Sequence, residues 1–216
     1  VSLPWSLSKL GTFEKCRARY KYRYIDGLKE PKGAAASRGI DKHKIVEDFV
    51  AGITEALPAD LSYYHGFLSN VRQSGGKAEL QLALRADWTP CAFGDSDAWW
   101  RGVLDALVVL ESKAHVFDWK TGKIYDDHDD QKDLYAAAVF STYSEVEEIV
   151  ATHVYLDLGQ NREKRYTRAD LPAIRARWEG RVNSLLSAEA FFPNPQYSCR
   201  WCGFAKANGG PCRFGG

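Results

Sequence analysis

The stretch that decides the fold is "VFDWKTGK", residues 116 to 123. Its apolar residues call for a buried strand, yet Asp118 and Lys120 interrupt it two places apart. Side chains alternate along a strand, so these two project from one face. Charges on a buried face are costly unless they pair with each other or meet a metal. The stretch therefore encodes either a structural ion pair or a reaction centre.

Immediately upstream, "DAWWRGVLDALVVLE" is β-rich over residues 98 to 111 and sets Asp105 among apolar neighbours, with Val103, Asp105 and Leu107 expected on one face. A tight turn near Glu111 to Lys113 leads into "AHVFDWKT", and the resulting hairpin brings Asp105 close to Asp118. Two carboxylates so placed repel one another when ionised. A divalent cation relieves that repulsion and takes their oxygens as ligands. Lys120 beside a metal-bound water orients the nucleophile and offsets developing negative charge. That is a layout for metal-assisted phosphodiester hydrolysis with one or two ions.

Further out the pattern alternates between helix and strand. Residues 6 to 25 predict a basic, aromatic helix, broken near Gly11 and capped by Ser8. "GLKEPKGAAAS" reads as a loop. Residues 39 to 52 and 59 to 73 read as helices, the second ended by Gly75 and Gly76. "AELQLALRAD" alternates as a strand. After the hairpin come a helix in "DQKDLYAAAVFSTY", with acidic residues at its start, a strand in "EEIVATHVYLDLG" and a helix over residues 168 to 188. This order predicts an α/β fold with a mixed central sheet flanked by helices. One domain is expected over 1–216, with a basic helical segment to residue 38, a core over 39–192 and a cysteine-rich tail from 193.

Composition narrows the class. Apolar residues at 45% and aromatics at 13% exclude global disorder. No segment approaches about 20 uninterrupted apolar residues, so no membrane partner is expected. The opening residues lack the layout of a secretory signal, which points to the cytoplasm. Net charge is +1, but it is unevenly spread. Lys9, Lys15, Arg17, Arg19, Lys21 and Arg23 crowd one end, a second basic block runs from Arg162 to Arg181, and "DDHDD" lies between them at 126 to 130. Such a layout suits a phosphate track beside a metal centre, or simply solvated helix faces. Five cysteines with no secretion signal speak against a disulfide framework. Cys199, Cys202 and Cys212 have metal-ligand spacing but no fourth ligand nearby; Cys91 fits no motif.

"GVLDAL" followed by "FDWKTGK" resembles the PD-(D/E)xK nucleases, in particular their RecB-type branch. "RGIDKHKIVEDF" resembles that branch's upstream histidine helix, "QKDLY" its Q-x-x-x-Y motif, and "FEKCRARYKYRYIDGL" its opening helix with a cysteine. The resemblance implies a restriction-endonuclease-like sheet whose cysteine-rich tail closes on the N-terminal helix. It implies a DNA exonuclease using Mg²⁺ or Mn²⁺, held by His43, Asp105, Asp118 and the Trp119 backbone carbonyl, with Lys120 positioning water. Gln131 and Tyr135 would complete the site, and Arg17, Arg19 and Arg38, with Gln131 and Tyr135, would grip linear DNA. It further implies a [4Fe–4S] cluster on Cys16, Cys199, Cys202 and Cys212, with zinc as the alternative. Phage or mobile-element recombination, beside a single-strand-annealing or recombination protein, is the implied setting. An inactive nucleic-acid-binding module and a structure-specific endonuclease are the competing readings. Glu47 reads as either assisting the metal or pairing with Lys44 or another neighbour and stands outside the catalytic set, Glu79 reads as structural, and Trp99 and Trp100 as either base-stacking or core.

Overall fold

The computed structural model describes residues 4–30, 34–124 and 129–214; side chains of residues 34–40 lie outside that description. Arg38 therefore has only its helical backbone described, and Asp126, Asp127 and His128 of the acidic cluster lie outside the described residues.

The N-terminal segment is two helices rather than one. Helix α1 spans Leu7–Lys15 and α2 Arg17–Tyr20, followed by a π-helical turn at Lys21–Ile25. The chain passes straight through Gly11 and breaks at Cys16, whose extended backbone (φ −161°, ψ 110°) ends one helix and caps the next. Ser6, not Ser8, is the N-cap, because Ser6 is extended and its Oγ accepts from the Lys9 amide at 3.3 Å. Helix α3 runs Ala34–Val50, so the residues read as the end of a loop already belong to the helix. Its alanines are strong helix formers, and the loop reading gave their Gly and Pro neighbours too much weight. A 3₁₀ turn at Ala59–Tyr64 leads into α4, His65–Gln73.

The sheet begins with β1 (Lys77–Leu84), the short β2 (Pro90–Cys91), β3 (Trp100–Leu110) and β4 (Lys113–Lys120). Strands β3 and β4 form the expected hairpin, turning at Glu111 with φ 51°. Helix α5 (Asp129–Thr142) then crosses to β5 (Glu148–Tyr155), which pairs parallel to β4. Strand β6 (Gln160–Thr167) follows, then α6 (Leu171–Leu186). The six strands lie in the order β2-β1-β3-β4-β5-β6, antiparallel except for β4 beside β5.

Strand β6 is a correction to the sequence reading, which placed no strand there. "QNREKRYT" has no apolar alternation, and only Tyr166 is buried. It is an edge strand, formed because β5 offers a free row of hydrogen-bonding groups, and its charges keep other chains from adding to it. Part of the basic block from Arg162 onward is thus a sheet margin and not a helix face.

Both faces of the sheet are covered. One carries α3, α4 and the 3₁₀ turn, with Val46, Phe49, Leu61 and Leu68 against Ala106, Val108, Phe117 and Trp119. The other carries α1, α5 and α6, with Trp5, Leu10, Leu134, Ala137 and Trp178 against Leu84, Leu104, Leu107, Val116 and Ile149. Trp100 belongs to this second core and Trp99 packs on it, edge-on to Trp5 and Trp88, so the tryptophan pair is packing rather than a base platform. Leu104 and Leu107 lie in one core while Ala106 and Val108 lie in the other. Strict alternation thus fails around Asp105, and the expected shared face of Val103, Asp105 and Leu107 does not hold. Across the pair, Glu79 adopts a left-handed backbone (φ 50°), which shifts the phase of the pleat.

Helix α5 is anchored at its far end by Arg168, whose guanidinium donates to the carbonyls of Phe140, Tyr143 and Val146 and lies over the Phe140 ring. A cation among orphan C-terminal carbonyls satisfies them and opposes the helix dipole. Arg168→Ala is expected to cost about 2 kcal/mol. For a chain of this size that lowers the melting temperature by roughly 4–8 °C, which calorimetry checks.

Candidate active site

Strand pairing builds the centre. The antiparallel register sets Ala106 opposite Phe117, and the next position inward brings Asp105 level with Asp118. The Trp119 amide donates to Asp105 Oδ2 at 2.7 Å, tying the first carboxylate to the backbone between Asp118 and Lys120. Asp118 is only 3% exposed. Its Oδ2 lies 2.5 Å from Lys120 Nζ, an ion pair by distance, but has no well-aligned hydrogen bond. From α3, His43 brings Nδ1 to 3.5 Å from Asp105 Oδ2.

Helix α5 closes the other side. Lys120 Nζ donates to Gln131 Oε1 at 2.5 Å, Gln131 Nε2 donates to the Tyr135 hydroxyl at 2.7 Å, and that hydroxyl donates to the Val103 carbonyl at 2.8 Å. The spacing i, i+4 places Gln131 and Tyr135 on one side of the helix. Tyr135 is buried and reaches Lys120 only through Gln131. After Lys120 the chain turns at Gly122, whose φ of 77° disfavours a side chain, and the Gly122 amide donates to Asp157.

The electrostatics follow from burial and crowding. Burial, then the neighbouring Asp118, hold the Asp105 carboxyl well above the usual carboxylate range, against the Trp119 amide and Lys120. Burial pushes the His43 imidazole down, with Asp118 opposing, so it is neutral and able to act as a ligand near pH 7. Burial, then Asp118 and Asp105, push the Tyr135 phenol far up and keep it protonated. A polar, crowded carboxylate pair with a buried oxygen lacking an aligned donor is the kind of site a divalent cation completes. Asp105, Asp118 and His43 therefore fit Mg²⁺ or Mn²⁺ by donor type, and the Trp119 peptide lies against the same carboxylate. Among the described residues, no group of three or more His, Cys, Asp or Glu side chains yet stands in metal-holding geometry.

Sequence reading passed over two kinds of neighbour. Glu79, expected to be structural, and Glu47, expected either to assist the metal or to pair with a neighbour, belong to the same electrostatic field: burial and then Glu47 push the Glu79 carboxyl up, and Glu79 adds to the pressure on Asp105. His153 was not singled out. It is fully buried on β5, paired in register with Asp118, with Nε2 3.9 Å from Asp118 Oδ2. A histidine inside the apolar alternation of "ATHVY" was the available signal.

A family model described as the PD-(D/E)XK nuclease superfamily matches residues 4–207. The chain belongs to this superfamily. No curated protein sequence matches the nuclease. Among solved structures, one assigned as an exonuclease, from Eubacterium rectale, aligns at 12% identity over 92% of this chain and 87% of its own, with a TM-score of 0.51. SSO0001 aligns at 15% identity, over 94% and 85%, with a TM-score of 0.48. LHK-Exo in complex with dAMP aligns at 13%, over 85% and 86%, with a TM-score of 0.43. At this identity the Eubacterium rectale structure supports the restriction-endonuclease-like fold alone.

The tail of the nuclease closes on its N-terminal helices, as expected. Asn194 Nδ2 and Gln196 Nε2 both donate to the Lys15 carbonyl, and the Gly203 amide donates to Glu30. Cys16, Cys199, Cys202 and Cys212 line one cavity, and all are free thiols. Burial raises the Cys202 thiol, and Cys16 is near enough to add to the effect. Four sulfur donors around one space fit an iron–sulfur cluster or zinc by donor chemistry. Cys91 lies apart on β2. A second, polar cavity of ≈ 560 Å³ runs beside α1, lined by Lys15, Arg19, Arg181 and Gln131 among others. Arg19 pairs with Glu30, and Arg17 lies exposed over the Phe13 ring. No helix among the described residues is long and apolar enough to cross a membrane.

Proposed function

We propose that the nuclease is a DNA exonuclease dependent on Mg²⁺ or Mn²⁺. The observation that carries this reading is the placement of Lys120 against Asp118, with Asp105 opposite. When bound, one or two divalent ions polarise the phosphodiester and lower the pKa of bound water. The chain supplies the rest. Asp105, Asp118, His43 and the Trp119 carbonyl would hold the ion. The ammonium of Lys120, fixed between Asp118 and Gln131, orients the attacking water and offsets charge growing on phosphorus. Tyr135 keeps Gln131 in register. Arg17, Arg19 and Arg38 attract the phosphates, and Gln131 borders the groove along which a strand would lie.

The cysteine site is part of the same proposal: a [4Fe–4S] cluster on Cys16, Cys199, Cys202 and Cys212 staples the two chain ends, with zinc as the alternative occupant. The setting implied by sequence resemblance is cytoplasmic recombination in a phage or mobile element, beside a single-strand-annealing protein. The test uses anaerobically purified protein, end-labelled linear DNA and covalently closed circular DNA, with Mg²⁺ and with EDTA. Degradation of the linear form alone, lost in EDTA, is the expected result. Cutting of circles makes it an endonuclease, and binding without degradation makes it a non-catalytic module. A broad absorbance band near ~400 nm on the same sample identifies iron–sulfur.

A further inference from the structure

The tail carries a feature that neither the nuclease centre nor the cysteine site uses. Tyr197 and Trp201 open and close a 3₁₀ turn, Tyr197–Trp201, and are 76% and 67% exposed. Their rings stand 5.2 Å apart, edge to face. Between them Arg200 lays its guanidinium over both, 3.1 Å from the Tyr197 centroid and 4.3 Å from that of Trp201. The turn is fixed from below, because the Cys199 amide donates to the Gln196 carbonyl, the Gln196 amide donates to Cys199 Sγ, and Gln196 Nε2 donates to the Lys15 carbonyl. Two large rings are thus held open to water on a braced support, where burial would otherwise have been favoured.

The surroundings indicate the partner. From Ala190 to Gly216 the chain has Arg200, Lys206 and Arg213 and no acidic residue. Lys15 and Arg19 line both the cavity beneath this turn and the groove that reaches Gln131. Glu14 and Asp130 also line that groove and both pair with Arg181, and Arg19 pairs with Glu30, so Lys15, Arg19 and Arg181 leave only a modest positive excess between the aromatic turn and the hydrogen-bond chain of Lys120. Aromatic faces and a guanidinium plane beside a phosphate-attracting groove match unpaired bases on a polyanionic backbone. In a duplex the base faces are hidden, so such a surface selects single strands.

We propose that Tyr197, Arg200 and Trp201 form a stacking platform for unpaired DNA bases adjoining the strand end held at the nuclease centre. The proposal rests on the DNA-nuclease reading, whose failure is separable. Binding is measured by anisotropy on a labelled ~20-nucleotide single strand and on a blunt duplex of the same sequence. The full chain is purified anaerobically and carries Asp118→Ala to prevent cleavage. Stacking on an aromatic ring strengthens binding by roughly fivefold or more per base. Combining Tyr197→Ala and Trp201→Ala is therefore expected to weaken single-strand binding by at least about tenfold, with duplex binding changed less than about twofold. Tyr197→Phe with Trp201→Phe, which keeps both faces, is expected to retain single-strand binding within about threefold. In the otherwise unmodified chain, the two alanine changes raise KM on single strands and leave kcat unchanged. Unaltered single-strand binding, or equal loss on both substrates, overturns the platform. If the chain binds single strands through these rings yet never cleaves DNA, the nuclease reading fails and the platform stands.

Discussion

Lys120→Ala is expected to remove DNA cleavage, by about three orders of magnitude or more in kcat, while leaving the fold and DNA binding in place. The reason lies in where the ammonium is held. Lys120 Nζ is 2.5 Å from Asp118 and donates to Gln131, on a strand fixed by β3 on one side and β5 on the other. Nothing else among the described residues brings a lysine to that carboxylate. A preorganised charge facing a developing phosphorane is worth several kcal/mol, and each ~1.4 kcal/mol is tenfold in rate. Lys120→Arg is not a safe replacement, because its planar fork does not place a point charge at the same spot. Circular dichroism and oligonucleotide binding, measured beside single-turnover cleavage, separate chemistry from folding. Cleavage near the wild-type rate in folded Lys120→Ala would remove the lysine from the mechanism.

Asp105→Asn is expected to move activity and stability in opposite directions. The Asp105 carboxyl is raised by burial first and by Asp118 second. Its folded-state pKa therefore lies above its unfolded value, so the folded state binds the proton more tightly. The stability this proton provides is full below the ordinary carboxylate range and is lost as pH rises through the folded value. At neutral pH, in EDTA, Asp105 therefore supports the fold less than it does in acid. Asparagine keeps an oxygen to accept from the Trp119 amide and discards the charge. The variant should therefore melt roughly 2–4 °C higher than wild type in EDTA at pH 7, the equivalent of about 1 kcal/mol. Its melting point should fall less steeply with pH than that of the wild type. Added Mg²⁺ should stabilise the wild type and not the variant, and cleavage by the variant should drop about 10³-fold. A variant that melts lower in EDTA at pH 7 would show that the carboxylate is structural and not held for a cation.

Much of the centre was legible because its signal is local. Alternation fixes the shared face of Asp118 and Lys120, a short turn fixes the hairpin, and a four-residue step fixes Gln131 over Tyr135. His43 was legible only through resemblance, since one histidine in a helix names no partner. Glu79 and His153 escaped for a different reason. Their importance comes from what lies beside them, Asp105 for one and Asp118 for the other, and neither neighbour is near in sequence.

The chain by itself determined a mixed α/β sheet, an acidic hairpin carrying a lysine, and a tail with cysteines at ligand spacing, because period and turn chemistry act over a few residues. Only the tertiary structure decided that "QNREKRYT" is a strand, that the pleat shifts phase at Glu79, and that Cys16 shares a cavity with three cysteines from the far end of the chain. A strand without apolar alternation exists only because a neighbour supplies its hydrogen bonds. A left-handed glutamate persists only because the surrounding sheet holds it. Those supports are long-range contacts, which no window of sequence contains.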